Sequence, residues 1–406
     1  MPDEGSAGGT TTQLSTGGAA TSSAATTQAP TSAAPETTEA PEDGGSAGST
    51  AAGTTAEGST TAVGSTTAAT VTTTEEPSTG EPDGSDSTSA TGGERGGGPT
   101  GTVPDENLLG AFVGDMGSGS NPRSVYKLIK EEGADFLIIL GDFDYDDSPG
   151  TFRKDLESVL GDDFPVFGAI GNHDVKKWSG YQPIFEEWLA KIEGAECSGD
   201  LGVDSSCTYR GLHFVLSGVG TIGKKSERED YIAEALAADD SLWSLCIWHK
   251  NQRDMQAGDK DDEVGWTAYK HCQKDGSLII AGHEHSYART RTLTDLGNRK
   301  NHHGAVGIPE LIEVAPGSTF SVVSGLGGKS IRDYEAGLHD DEEWWATLYT
   351  GNYHRKNGVK VKNSKADYGA LFIRFNVDGD PNTAQGYFKN VEGEVADEFD
   401  IVQKKK

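Results

Sequence analysis

The chain has 406 residues, 64 of them acidic against 34 basic, and a formal charge of -30. A field of that sign argues against nucleic acid and anionic membrane surfaces as nonspecific partners, and no run of about 20 apolar residues exists to span a bilayer. The first 100 residues carry a net charge of -12 and the rest -18, so an anionic substrate needs local positive charge, for which bound metal ions are the obvious source.

Residues 1–104 contain no Phe, Trp, Tyr or Cys, and their only bulky aliphatics are Leu14, Val63, Val71 and Val103. Such a leader cannot offset an ordering entropy of roughly 1–2 kcal/mol per residue, so it is expected to be disordered. Its acidic Thr/Ser/Pro-rich texture resembles an O-glycosylated stalk and points to a secreted or cell-surface chain, with an unmodified solvated tail as the alternative. No Asn-x-Ser/Thr sequon occurs, so N-glycosylation gives no support for export, and no signal-peptide h-region follows Met1, as expected of an intracellular protein or of a chain whose true N-terminus has been removed. Residues 105–406 are long enough for one large α/β domain.

In chain order, Asn107–Val113 reads as a buried strand ending in Gly114-Asp115-Met116-Gly117. A helix follows, with Pro122 in its first turn and Val125, Leu128 and Ile129 at helical spacing. Strand Phe136–Leu140, helix Phe152–Leu160 and strand Val166–Ile170 continue a βαβαβ order, which predicts parallel strands and ligands at their C-terminal edge. Tyr181–Ile192 is an amphipathic helix, Cys207–Arg210 and Leu212–Leu216 a tight pair of strands, and Ser226–Ala238 a helix opened by a Ser226/Glu229 capping box. Strand 242–248, helix 264–273 and strand 277–281 complete this half.

Beyond Tyr287 short strands and Gly-rich turns predict a second, largely antiparallel sheet. The expected whole is a four-layer α/β/β/α sandwich with two mixed sheets. Cys197 and Cys207 bracket a Gly/Asp/Ser loop at a disulfide spacing, whereas Cys246 and Cys272 fall in an apolar strand and a helix, where buried free thiols are common.

Five strand ends carry ligand types: Asp115; Asp142 and Tyr145; Asn172 and His173; His249; His283 and His285. A pair of cations roughly 3.5–4 Å apart needs a two-oxygen carboxylate between them and N or O donors around each. Asp142 is the candidate bridge. Asp115, His285 and Tyr145 complete one site; Asn172, His249 and His283 complete the other. A lone Asp at a strand end is more often a helix N-cap, but five such ends in order reverse that preference.

The ordered set Gly114-Asp115-Met116-Gly117, Gly141-Asp142-Phe143-Asp144-Tyr145, Gly171-Asn172-His173-Asp174, His249 and Gly282-His283-Glu284-His285 resembles the five motifs of the calcineurin-like metallophosphoesterases. Within them it is most similar to the purple acid phosphatases, which pair a glycine at the position of Gly117 with a tyrosine at that of Tyr145. The resemblance covers roughly 108–401. It implies Fe(III) at the Tyr145 site, Fe, Zn or Mn at the second, and hydrolysis of phosphate monoesters on small molecules or proteins by in-line attack of a metal-bound hydroxide.

By the same resemblance His173 stabilises the transition state or protonates the leaving group, with Asp174 orienting it. Two departures stand out. Only His271 falls between the last two motifs, where this family usually carries further histidines, and Lys250 or Gln252 is left as a substrate contact. A phosphodiesterase or nucleotide hydrolase on the same scaffold is the nearest alternative, and a surface interaction protein with a degenerate enzyme domain the more distant one. His302-His303 reads as a solvated loop pair, His213, His339 and His354 as structural or surface residues, and Gly325–Gly328 as a turn near the site.

Overall fold

The computed structural model describes residues 102–356 and 359–405; the expectation of a disordered leader falls, up to residue 101, outside them. Packed contacts begin at Thr102, whose carbonyl accepts from Leu242 N at 3.0 Å, and Pro104 is buried.

Strands β1 (Leu108–Val113), β2 (Phe136–Ile139) and β3 (Val166–Gly168) run parallel, linked by helices α1 (Ser120–Glu131) and α2 (Pro149–Leu160). Every residue of the three strands is buried, as strands covered on both faces require. Then come α3 (Trp178–Leu189), β4 (Ala195–Asp200), β5 (Asp204–Tyr209), β6 (Leu212–Ser217), α4 (Lys225–Ala238), β7 (Trp243–Trp248), α5 (Thr267–Asp275), β8 (Leu278–Ala281) and β9 (Tyr287–Thr290). A short ribbon, β10 (Thr292–Leu293) with β11 (Ala305–Val306), precedes β12 (Leu311–Val314), β13 (Ser321–Ser324), β14 (Trp345–Tyr349), β15 (Tyr353–Lys356) and β16 (Val359–Lys362). The chain closes with β17 (Gly369–Val377), β18 (Asp380–Asn390) and β19 (Val395–Gln403).

Two mixed sheets result, with strand orders β12-β19-β18-β17-β1-β2-β3 and β16-β15-β14-β9-β13-β8-β7-β6-β5-β4. Their facing surfaces share one core, in which Trp243 meets Phe375 at 5.4 Å, Phe136 meets Phe214 at 5.5 Å and Phe320 meets Phe399 at 5.8 Å between ring centroids. Helices α1 and α3 pack on the first sheet, with α2 against both of them, and α4 and α5 on the second, giving the expected four layers. Among the described residues no helix is long and apolar enough to cross a membrane.

The division between the sheets differs from the expected one. The residues after Tyr287 do not form a sheet of their own: β17 pairs with β1, and β13 with β8. The βαβ units leave β1 and β8 with unpaired edges, and the C-terminal strands cover them.

The segment between Cys197 and Cys207 is not a loop either. β4 and β5 pair throughout it, and the disulfide joins directly opposed residues. Cys246 and Cys272 are disulfide-bonded rather than free thiols, tying β7 to α5. No capping box forms at α4, whose N-cap is Lys224 without a side-chain cap bond; Lys224 instead bonds Glu227 at 2.8 Å.

Candidate metal centre

The parallel strands end on one rim, and the residues just past them carry the polar groups. Asp115, Asp142 and His283 have positive φ of 58°, 54° and 71°, a left-handed backbone uncommon for residues with a Cβ. At each position the chain turns sharply out of its strand. The glycines beside them answer a space requirement: a Cβ on Gly171 would lie 2.2 Å from both the Asp142 N and Oδ1, and one on Gly325 2.8 Å from Asp115 Oδ2.

The first group of donors is Asp115, Tyr145 and His285. Tyr145 Oη lies 3.2 Å from Asp115 Oδ1 and 3.0 Å from His285 Nε2, and His285 Nε2 lies 3.2 Å from Asp115 Oδ1. The second group is Asp142, Asn172, His249 and His283. His249 Nε2 lies 3.3 Å from Asp142 Oδ2, 3.1 Å from Asn172 Oδ1 and 3.2 Å from His283 Nδ1. Asp115, Asp142 and His249 present donor atoms within 4.8 Å of one another, which joins the two groups. All seven expected ligands therefore meet at one place.

The chemistry of the second group fits a cation. His249 Nδ1 faces the Leu140 carbonyl at 2.8 Å, so it carries the proton there and Nε2 is left with a lone pair. His283 Nε2 faces Glu263 Oε2 at 3.0 Å, which leaves Nδ1 with a lone pair in turn. These lone pairs meet a carboxylate oxygen and an amide oxygen, so acceptors face acceptors, and buried groups of that kind need a positive partner.

Burial lowers the His249 pKa, but the Asp142 carboxylate overrides it and pushes the imidazole up to about 9. A site that draws a second proton onto His249 so strongly draws a metal ion for the same electrostatic reason. Burial holds His283 down at about 4 against its bond to Glu263. Burial likewise raises the carboxyls of Asp115 and Asp142, yet the surrounding imidazoles outweigh it and hold both below the ordinary value. Tyr145 is pushed well up by burial and by those two carboxylates.

His173 is exposed on the rim. Its backbone N–H donates to Asp142 Oδ1 at 2.9 Å, and its ring lies 4.3 Å from that of Tyr145 between centroids. Asp174 is placed differently from the expectation. Its buried carboxylate receives the main-chain N–H groups of Gly171, Asp142 and Phe143 at 2.7–2.9 Å, so it pins two ligand-bearing turns together and does not orient the His173 ring.

Lys250 is ion-paired with Glu263, and Gln252 Oε1 caps the next turn by accepting from Asp254 N, so neither is left for substrate. His271 sits half-buried on α5, away from this cluster. His303 is fully buried between Trp266 and Trp344, with ring centroids 4.9 and 4.7 Å away, and is not a solvated loop residue. Gly325–Gly328 does form a turn against the site: Gly327 N donates to Gly114 O at 3.0 Å.

Sequence reasoning missed Glu263 and Ser330, which bond the outer nitrogens of His283 and His285, at 3.0 and 2.5 Å. Such outer partners fix tautomer and ring orientation. Glu263 was hidden in the acidic run Asp259–Glu263, where no spacing sets it apart.

Residues 111–287 match the family model of the calcineurin-like phosphoesterases. That stretch is a calcineurin-like phosphoesterase region. It contains every group of the rim described above, with the Gly325–Ser330 turn added from outside it. No curated protein sequence is matched.

Among solved structures, the purple acid phosphatase PPD1 from yellow lupin (Lupinus luteus) seeds is similar over 75% of this chain, with a TM-score of 0.51 at 16% identity. The alignment covers 55% of the lupin protein, so the chain spans about half its length. GAP50, the anchor in the inner membrane complex of Plasmodium, aligns over 74% of this chain and 90% of its own (TM-score 0.46, 12% identity). PhoD aligns over 73% and 69% (TM-score 0.45, 10% identity). At the identity of the lupin protein the likeness is one of fold.

Proposed function

We propose that the calcineurin-like phosphoesterase region is a binuclear metal-dependent hydrolase that cleaves phosphate monoesters, in the manner of a purple acid phosphatase. The observation that carries this reading is the pair of donor groups at the rim, one around Tyr145 Oη and one around His249 Nε2, in the second of which lone pairs face lone pairs. Asp115, Tyr145 and His285 would hold one ion; Asn172, His249 and His283 the other; Asp142 would serve both.

Tyr145 argues for Fe(III) at the first position. A phenol whose ionisation is opposed by burial and two carboxylates becomes phenolate only beside a strong Lewis acid. Fe, Zn or Mn suits the imidazole-rich second position. When bound, the ions supply the charge that holds phosphoryl oxygens and the acidity that activates water.

The chain's own residues do the rest. Asp174 and the glycine turns keep the ligand loops in register, and Glu263 and Ser330 hold the outer histidine nitrogens. His173, exposed beside the Tyr145 ring, would give a proton to a departing alkoxide. A secreted or cell-surface location belongs to the same proposal; two disulfides support it, since such bonds persist in oxidising compartments.

The test is colour and rate together. Purified protein is expected to show a visible phenolate-to-iron band that disappears in Tyr145→Phe, and to hydrolyse p-nitrophenyl phosphate faster than its bis-ester. A colourless, active Zn or Mn protein would overturn the iron assignment, and a faster bis-ester the monoester assignment.

A further inference from the structure

The turn after β13 carries a cation that none of the site chemistry above uses. Lys329 follows Gly325–Gly328, and its backbone N–H donates to the Asp115 carbonyl at 3.1 Å, which fixes its Cα beside the candidate metal centre. Its ammonium lies 4.3 Å from the centroid of the Tyr145 ring, the same ring that His173 packs against.

Several other cations around the rim are taken. Lys250 pairs with Glu263, Lys176 with Asp147 and Arg332 with Glu284, while Lys260 is held by the His283 carbonyl at 2.6 Å. Lys329 is exposed and makes no ion pair with a carboxylate among the described residues. On a chain whose region after residue 100 carries -18, what sets Lys329 apart is its place: an unpaired ammonium against the Tyr145 ring, beside the candidate metal centre.

We propose that Lys329 is a substrate-binding residue whose ammonium takes an anionic oxygen of the bound phosphate ester and favours a dianionic phosphoryl group over a monoanionic one. This rests on the phosphoesterase reading above. A lysine is a flexible point charge with three donors, so a short swing of its stem from the Tyr145 face reaches a phosphoryl oxygen at the mouth. The charge-assisted bond is stronger to an oxygen bearing more charge. A diester, with one negative charge and a second bulky group, gains less from it.

The experiment compares wild type, Lys329→Met and Lys329→Arg in metal-loaded protein. Steady-state kinetics would be run on p-nitrophenyl phosphate and bis-p-nitrophenyl phosphate, and calorimetry on inorganic phosphate. The methionine variant is expected to raise KM for the monoester and weaken phosphate binding, each by roughly tenfold. KM for the diester should rise less than threefold, the change should fall on KM rather than kcat, and arginine should recover most of the loss. Unchanged phosphate affinity and monoester KM in Lys329→Met, or equal losses on both esters, would overturn the proposal while leaving the enzyme reading intact. A wild type that binds phosphate but cleaves neither ester would overturn the enzyme reading, with calorimetry still deciding the role of Lys329. A wild type that binds no phosphate would overturn both.

Discussion

Two buried polar clusters in this protein are built from similar residue types and solve opposite problems. Between the sheets, Asp397 on β19 accepts from Arg289 Nε and Nη2 at 2.6 and 2.9 Å, from Tyr287 Oη at 2.7 Å and from Thr347 Oγ1 at 2.8 Å. Every acceptor there has a donor, and the Phe399 ring covers the guanidinium at 3.9 Å. At the rim, Asp142 and His249 are buried to the same degree as Asp397 and Arg289, yet the lone pairs of Asp142 Oδ2 and His249 Nε2 point at one another. The first cluster is complete without help and serves the fold; the second, on the proposed reading, needs a cation to complete it and serves chemistry. Burial of charge alone does not distinguish a site from a scaffold, whereas the balance of donors and acceptors does.

That contrast can be broken most forcefully at Asp142. Asp142→Asn keeps the shape but removes the charge shared by the two donor groups, and kcat/KM on p-nitrophenyl phosphate is expected to fall by roughly 10³-fold or more, with the chain still folded by circular dichroism. Asp397→Asn is the mirror experiment. It leaves Arg289 buried and uncompensated, and denaturant titration should show a loss of about 3–5 kcal/mol while metal content per folded chain is retained.

The sign with pH follows from Asp397. Burial would raise its carboxyl, but Arg289 overrides this and holds it below the ordinary range. Its stabilisation is thus present above the usual carboxylate pKa of about 3.9 and is lost as pH falls through the lower folded value. Wild type should therefore lose part of its advantage over Asp397→Asn on acid titration.

The smallest of these effects is expected at Glu263. Glu263→Gln keeps an acceptor for His283 Nε2 but not its charge, and the affinity of the second ion, read by competition with a coloured chelator, should weaken by about 10- to 100-fold.

Much of this was legible in the sequence because the apolar runs that become β1, β2, β3, β7 and β8 end in residues no sheet requires. Asp115, Asp142, Asn172, His249, His283 and His285 could be named from those ends alone, and Tyr145 from its place after Asp142. What could not be read were partnerships set by distant chain. The apolar run of β17 says that it is a strand, not that it pairs with β1 across more than half the folded chain. Asp174 has the composition of a catalytic orienter but is consumed by three main-chain N–H groups. His303 looked solvated because its neighbours in sequence are polar, whereas the residues that bury it, Trp266 and Trp344, come from elsewhere. Lys250 looked free because its partner Glu263 lies beyond a loop.

The account stands most directly on how many ions the rim holds. Elemental analysis of the purified protein, after exposure to Fe, Zn and Mn and removal of loose metal, should return about two ions per chain, both removable by a chelator and neither dependent on Asp397. A correctly folded protein that retains none under those conditions would mean that the lone pairs at the rim are satisfied by protons, and the metal-dependent reading would be wrong.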